Sequence, residues 1–445
     1  MNRIRILVCL VMASPFLVQA QKQWTLQECL DYAMANNITL QQNRISSQQR
    51  NAEVEAGKAA LWPSLSFSTN HNVSYRPFSE STINLTNGSM STTSSETNYT
   101  GNYGINANWT VWNGGRNRYN IQASEMNKQL ADLQTEETAN SIQEQIAQLY
   151  IQILYVTEAV KVDSEMVKLS TLQRDRGLEM LKVGSMAKVD VAQLEAQVTQ
   201  DKYSLVNMQS QLANYKLQLK QLLEILGPTE FEIAIPALTD QQVLTLIPDR
   251  QAVYQQALET RPEIQSSKLN IDAAKLEIKN AKAAALPTLS MSANMASNHA
   301  SGINTHFDRQ MKKNWSNSLS LSLSVPIFDQ KQTKTNVTKA KLATRNSELQ
   351  LQDTEKKLYS NIENFWLQAT TSQQQFIAAK SNVENMTQSY ELVSEQFRLG
   401  LKNIVELTTG KNNLLSAKQQ MLQSKYMALF NMAMLRFYSG EKIKL

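Results

Sequence analysis

The chain has 445 residues, 42% of them hydrophobic and 7% aromatic, with only 13 Gly and 9 Pro. Two or three domains fit that length, and few helix breakers leave room for long uninterrupted helices. Lys and Arg number 44 against 39 Asp and Glu. Without Arg3 and Arg5, which fall in a segment expected to be cleaved, 42 basic residues face 39 acidic ones. That excess, with no concentrated basic stripe, argues against nucleic acid as a partner.

The first twenty residues read as a secretory signal peptide. Arg3 and Arg5 form a basic start, Ile6 to Met12 an apolar run too short to span a bilayer, and Val18-Gln19-Ala20 a small-x-small cleavage site before Gln21. Cys9 leaves with that segment, so Cys29 has no partner for an internal disulfide. It lies too far past the cleavage site to be a lipid-modified N-terminus and reads as a small buried apolar residue.

Two stretches share nearly the same words. Residues 58–66 read KAALWPSLS and residues 282–290 read KAAALPTLS, so that Pro63 answers Pro287 at an offset of 224, as Ala33 answers Ala257. Gly184 answers Gly400 at an offset of 216, and the eight-residue change falls in a polar stretch that tolerates insertion. Such spacing marks one structural unit used twice. The first repeat covers about residues 21–226 and the second 249–445, joined by a proline-bearing linker (227–248) with Pro228, Pro236 and Pro248 at its end.

Each repeat carries a pair of alternating segments. In 65–75, Leu65, Phe67, Val73 and Tyr75 are odd, while Ser66, Ser68, Asn70, Asn72 and Ser74 are even. Residues 102–112 put Tyr103, Ile105, Ala107, Trp109 and Val111 against Asn102, Asn106, Asn108 and Thr110. Residues 289–299 repeat the pattern, and 316–327 alternate Leu319, Leu321, Leu323, Val325 and Ile327 with serines. A period of two over about ten residues, with polar faces nearly free of charge, predicts tilted membrane strands. Tyr75, Phe78, Trp109, Trp112 and Trp315 near the strand ends fit an interface girdle. Four strands cannot close a barrel and lipid does not tolerate open edges, so the chain is expected to oligomerise; three copies would supply about twelve strands. The polar stretches 76–100 and 300–314 read as outward-facing loops.

Helix follows each strand pair. Residues 116–176 and 327–399 contain no Gly or Pro, enough for helices of roughly 90–110 Å at ~1.5 Å per residue. Residues 185–226 carry Val191, Leu194, Val198, Leu205, Met208, Leu212, Tyr215, Leu219, Leu222 and Leu226 at steps of three and four, with a step of seven across Asp201. That is a narrow heptad seam. Gly184 and Gly400 read as helix C-terminal caps, with Asp190 and Glu406 in the first turn of each returning helix, where an anion is favoured.

The motifs with most specificity are Trp24-Thr-Leu-Gln-Glu-Cys-Leu-Asp-Tyr-Ala-Met-Ala-Asn-Asn37, the paired Ala-Ala-x-x-Pro-x-Leu-Ser words, Val111-Trp-Asn-Gly-Gly-Arg116 and the two glycine tips. On them the mature chain, about 24–438, resembles the outer-membrane efflux protein family. The second strand exit, Val325-Pro-Ile-Phe-Asp-Gln-Lys331, lacks the glycines of the first. The resemblance implies a mainly α fold with a transmembrane β-barrel: a homotrimer in the outer membrane of a Gram-negative bacterium, its twelve-stranded barrel continuous with a twelve-helix periplasmic tunnel. It implies a passive exit duct for tripartite efflux or type I secretion, which meets a periplasmic adaptor and an inner-membrane pump at the helical tips, around Gly184, Val189, Gly400 and Val405. It implies a periplasmic aperture at Glu406 and Lys402, with Asp190 in the matching place of the first repeat; Lys402 is expected to tie neighbouring helices. Thr409 stands where a second acid often recurs, which leaves one acidic tier.

Two other classes compete. A surface adhesin or stalk of trimeric coiled coil would explain the heptads but not strands inside each copy. A secreted enzyme on a helical scaffold needs a polar cluster. His71, His299 and His306 lie on predicted strands or outer loops, and no Cys/His pair, His-Glu-x-x-His run or phosphate-binding glycine loop is present. Neither catalysis nor a cofactor or metal is expected.

Overall fold

A computed structural model describes residues 23–75, 77, 82–86, 89–93, 97–227, 231–303 and 305–444. The signal segment with Arg3, Arg5 and Cys9 lies outside the described residues, as do Phe78 and Pro228.

The first repeat runs β1 (Gln23–Trp24), α1 (Leu26–Asn36), α2 (Ile38–Ala59), β2 (Ser64–Tyr75), β3 (Thr82–Thr86), β4 (Ser89–Thr93), β5 (Thr97–Trp112), α3 (Arg116–Lys182) and α4 (Lys188–Leu222). Between the repeats lie β6 (Glu232–Ile233) and α5 (Asp240–Val243). The second runs α6 (Arg250–Thr260), α7 (Pro262–Ala283), β7 (Thr288–Ala300), α8 (Phe307–Lys313), β8 (Ser316–Ser324), α9 (Gln332–Arg398) and α10 (Ile404–Tyr438). The copies match in length: α1 and α6 have 11 residues, α2 and α7 have 22, α3 and α9 have 67, α4 and α10 have 35. The differences sit where the offset changes. The stretch read as one loop after Tyr75 holds the β3–β4 hairpin and the start of β5, and 300–314 holds α8.

Two compact units cut across the repeats. Of the described residues, one comprises those up to Gln41, Thr138–Thr260 and Leu358 onward; the other comprises those within Gln42–Glu137 and Arg261–Lys357. In the first, Cys29, Ala33, Ile146, Leu154 and Leu435 are buried in its core, as expected for Cys29. Thr25 and Glu28 form a reciprocal capping box that starts α1. β1 pairs in parallel with β6, and the Tyr150 hydroxyl donates to the Ala234 carbonyl at 2.6 Å. Burial pushes the Tyr150 hydroxyl well above its ordinary value.

α3 runs through Gly177 to Lys182, just ahead of the Gly184 turn, and that glycine makes room for a side chain of α4. Two element ends differ from the sequence reading. α4 ends at Leu222, so Leu223 is buried in its place and Leu226 is exposed. Glu224 takes the left-handed conformation (φ 58°) normally given to glycine, and its N–H closes the helix end on the Gln221 carbonyl at 3.0 Å. β8 stops at Ser324, ahead of Pro326, which has no N–H to offer a ladder, so Val325 and Ile327 lie outside the strand.

The second strand exit keeps the geometry of the first without its glycines. Gly114 (φ 70°) and Gly115 (φ 88°) are answered by Gln330 (φ 53°) and Lys331 (φ 64°). In both, an acceptor side chain holds the helix start: Asn113 Oδ1 accepts from Asn117 N–H at 3.2 Å and Asp329 Oδ2 from Thr333 N–H at 2.8 Å.

Candidate functional site

Both long hairpins turn on a glycine at φ +76°, Gly184 after α3 and Gly400 after α9. Ser185 N–H donates to the Met180 carbonyl at 2.9 Å and Gly184 N–H to Leu181 at 3.0 Å; Leu401 and Gly400 repeat this with Gln396 at 2.9 Å and Phe397 at 3.0 Å. These paired back-bonds satisfy the last helical carbonyls. No atom comes within 4 Å of a Cβ built on either glycine, so the backbone angle alone accounts for the residue. Around the turns Val183, Val189, Leu399, Leu401 and Val405 are all exposed, with Val189 at 63% and Val405 at 62%.

The returning helices start differently. Ala187 precedes α4 and supplies no side-chain cap. Asn403 caps α10: its Oδ1 accepts from Glu406 N–H at 2.9 Å, and Glu406 Oε2 accepts from Asn403 N–H at 3.2 Å. Lys402 Nζ donates to Glu406 Oε1 at 2.5 Å, across the first turn of its own helix. The bond from Lys402, then the Asn403 backbone, hold the Glu406 carboxyl below the usual range. Asp190, half-buried in the first turn of α4, has no such box; its N–H reaches the Ala187 carbonyl at 3.1 Å.

Behind the tips, the hairpins are joined by groups that the sequence reading did not single out. Tyr390, Leu407 and Leu414 form a buried cluster with Leu169, Met386 and Phe397, and Gln173 Nε2 donates to the Tyr390 hydroxyl at 2.5 Å. Lys411 of α10 donates to Asp201 of α4, their side chains 0% and 6% exposed. Asp201 is the residue at which the heptad seam skipped a step, so the break in periodicity was its signal. Gln197 Nε2 donates to the other Asp201 oxygen at 2.8 Å. Deeper, Gln419 Nε2 donates to Asp163 Oδ1 at 3.2 Å while Oδ2 is buried without a partner, and burial raises that carboxyl. A groove of about 410 Å³ opens between α4 and α10, lined by Gln193, Gln197, Gln200, Val405 and Thr408.

The strand site lies in the other unit, in an antiparallel sheet of order β2-β5-β7-β8. Its register aligns the odd faces. Leu65 lies opposite Ala107, Ala107 opposite Ala293, and Ala293 opposite Leu319; Phe67 lies opposite Ile105 and Ile105 opposite Met295. A bulge between Thr110 and Trp112 shifts the count, so that even-numbered Trp112 faces Leu289 and joins the apolar side. The other face is serine and asparagine, with Asn106 Nδ2 bonded to Ser68 Oγ at 3.1 Å and Asn294 Nδ2 to Asn106 Oδ1 at 2.5 Å. The register also sorts the girdle candidates: Trp109 and Trp112 lie toward the end where strands lead into helices, Tyr75 and Trp315 at the opposite end. Leu65, Phe67, Leu319, Leu321 and Leu323 are all largely exposed. Among the described residues no helix is long and apolar enough to cross a membrane.

The family model for outer membrane efflux proteins matches residues 29–224 and 253–441. The chain is 21% identical over 412 residues to the outer membrane efflux protein BepC of Brucella suis, covering 92% of this chain and 83% of that one. It is 25% identical over 224 residues to the alkaline protease secretion protein AprF of Pseudomonas aeruginosa, covering 50% and 46%. Its fold superposes on the outer membrane channel CmeC of Campylobacter jejuni with a TM-score of 0.76 at 19% identity, covering 94% of this chain and 87% of that one. The adhesin reading finds no support in these matches, whose curated relatives are named for outer membrane efflux and for protease secretion. Two repeats, each joining a strand pair to a long helical hairpin, and a match through most of both place the chain in the outer membrane efflux protein family.

Proposed function

We propose that three copies of the chain assemble into a single passive duct. The observation that carries this reading is the sheet itself: four strands, one apolar face, and two edges, β2 and β8, with no partner strand among the described residues. Unpaired edges are costly in lipid, and closure onto another copy would satisfy them. Because the four strands alternate in direction, β8 of one copy would meet β2 of the next in antiparallel fashion. Twelve strands would leave a lumen lined by Ser and Asn. From Leu65 to Tyr75 the strand covers roughly 33 Å at ~3.3 Å per residue, which a tilt of about 40° reduces to about 25 Å, the height of an outer-membrane apolar band.

In this reading the tips face the periplasm. Val183, Val189, Leu399, Leu401 and Val405 are the apolar surface that a periplasmic adaptor would cover, with an inner-membrane pump supplying the energy. Glu406 from each copy would ring the aperture. The Lys402 pair within each chain compensates that charge, so Lys402→Ala should sharpen cation selectivity and block by multivalent cations, whereas Glu406→Ala should weaken both.

Sedimentation in mild detergent, corrected for bound detergent, should give three protomers. Planar-bilayer recording should show a pore whose selectivity responds to Glu406→Ala more than to Asp190→Ala. A monomer or dimer in several mild detergents overturns the assembly; equal effects of the two carboxylates overturn the aperture assignment.

A further inference from the structure

Two of the three histidines occupy a single row of the sheet. His71 on β2 lies opposite Gly101 on β5, and Gly101 lies opposite His299 on β7. All three are odd positions, so they share the apolar side of the sheet, with the glycine between the imidazoles, but at the Tyr75 and Trp315 end and beyond the last β7–β8 pair, Ala296 with Ser316. A Cβ built on Gly101 would lie 2.3 Å from His299 Cε1, 2.8 Å from His299 Nδ1 and 3.1 Å from His71 Nδ1. Any side chain larger than hydrogen would therefore push against both imidazoles, and against His299 first. Those two distances also cap the separation of the Nδ1 atoms at about 5.9 Å, their sum.

The hydrogen bonds prepare the nitrogens for a ligand. His71 Nε2 lies 3.0 Å from Thr69 Oγ1 and His71 Nδ1 lies 2.8 Å from the Tyr99 hydroxyl. With the proton on Nε2 and donated to Thr69, the Nδ1 lone pair accepts from the Tyr99 hydroxyl, a bond that a metal at Nδ1 would replace while keeping the Tyr99 oxygen beside it. An outer hydrogen bond of this kind sets the tautomer of metal-binding histidines. His299 Nδ1 is buried and has no hydrogen-bond partner. A buried polar atom without a partner is costly unless something completes it. Aromatic rings enclose the row: Tyr103 stands edge-on to His71 at 5.3 Å and stacks on His299 at 5.8 Å, and Phe307 meets His299 edge-on at 4.8 Å. No group of three or more His, Cys, Asp or Glu gathers among the described residues, so Tyr99 and water are the remaining ligands for two imidazoles.

We propose that His71, His299 and Tyr99 form a binding site for a first-row divalent transition metal, with Zn2+ as its simplest occupant. Imidazole nitrogen suits such ions, whereas Mg2+ and Ca2+ prefer all-oxygen sites. The metal would draw the two Nδ1 atoms from at most about 5.9 Å to the roughly 3.3 Å that tetrahedral ligands at ~2.0–2.1 Å require, a movement that Gly101 leaves unobstructed. The site lies within one sheet of one chain and is independent of the trimer.

Tag-free, detergent-solubilised protein titrated with Zn2+ by calorimetry tests the proposal, with Co2+ absorption reporting nitrogen ligation. We expect one Zn2+ per chain, with affinity at least about tenfold weaker in His71→Gln and in His299→Gln, as loss of a supporting group at metal sites commonly produces. Gly101→Ala should weaken binding similarly by displacing the imidazoles with both histidines still in the sequence, and His306→Ala should bind as the natural protein does. Wild-type affinity in both glutamine variants, or no more Zn2+ bound by the natural protein than by a histidine-free one, would overturn the site.

Discussion

Leu194 of α4 packs onto Gly177 of α3 so closely that a Cβ on the glycine would lie 2.6 Å from Leu194 Cδ1. The second repeat reverses the pair. At the offset of 216 that separates Gly184 from Gly400, Gly177 is answered by Val393 and Leu194 by Gly410. A Cβ on Gly410 would meet Val393 Cγ1 at 4.0 Å and Tyr390 Cδ2 at 3.6 Å. Both hairpins thus close through one large and one absent side chain, exchanged between the outgoing and returning helices.

Gly177→Val should cost about 1–3 kcal/mol, the usual range for an overpacked core. Adding Leu194→Gly, which copies the second repeat, should cost less than the two changes summed. Guanidinium unfolding of the four proteins in detergent measures the coupling, and strict additivity would disprove the exchange.

Lys411→Met should destabilise the protein by about 3–5 kcal/mol, because Asp201 would keep its charge in a buried place without its partner. Lys411→Met combined with Asp201→Leu should return to the natural stability or exceed it, since neither charge then needs to leave water. If the double variant is as unstable as the single one, the pair does more than satisfy itself.

Asp163 is poised the other way. Burial first, then nearby Asp201, raise its carboxyl, opposed by the Gln419 bond. A group with a raised folded value binds its proton more readily in the fold than in the unfolded chain, so its charge weighs against the fold at neutral pH. Asp163→Asn should stabilise by about 1–3 kcal/mol at pH 7. That advantage should shrink as pH falls through the folded value toward 3.8, where the natural residue becomes neutral in both states. Unfolding curves from pH 7 down to the ordinary value of 3.8 decide it; a difference unchanged over that whole range would contradict the assignment.

Leu321 lies opposite Met291 in the middle of the apolar face. Leu321→Arg should cost roughly 2–4 kcal/mol at mid-depth of the bilayer. Ser322→Arg, one residue on, should assemble normally in a watery lumen. Equal loss of assembled protein for both would show that the two faces have been exchanged.

Much of this was legible in the chain alone. Period two, period three-and-four, and repeated words are local properties, set by where successive side chains point along a strand or helix. They predicted the strand pairs to within a few residues at most ends, the long helices and both glycine turns. The strand residues Thr97 to Gly101 escaped notice because their alternation is weak.

What the sequence could not carry is which residues meet across hundreds of positions. The bulge that turns Trp112 to the apolar side, the row that brings His71 beside His299, and the pairing of Asp201 with Lys411 all depend on register between segments far apart in the chain. Register is a property of two segments together: a shift of one residue sends every side chain of a strand to the opposite face. The sequence by itself determined the kinds of element and their order, because those follow from neighbours along the chain. Only the tertiary structure decided which Glu is capped, which Asp is paired and which histidines converge, because those contacts exist once distant segments have packed.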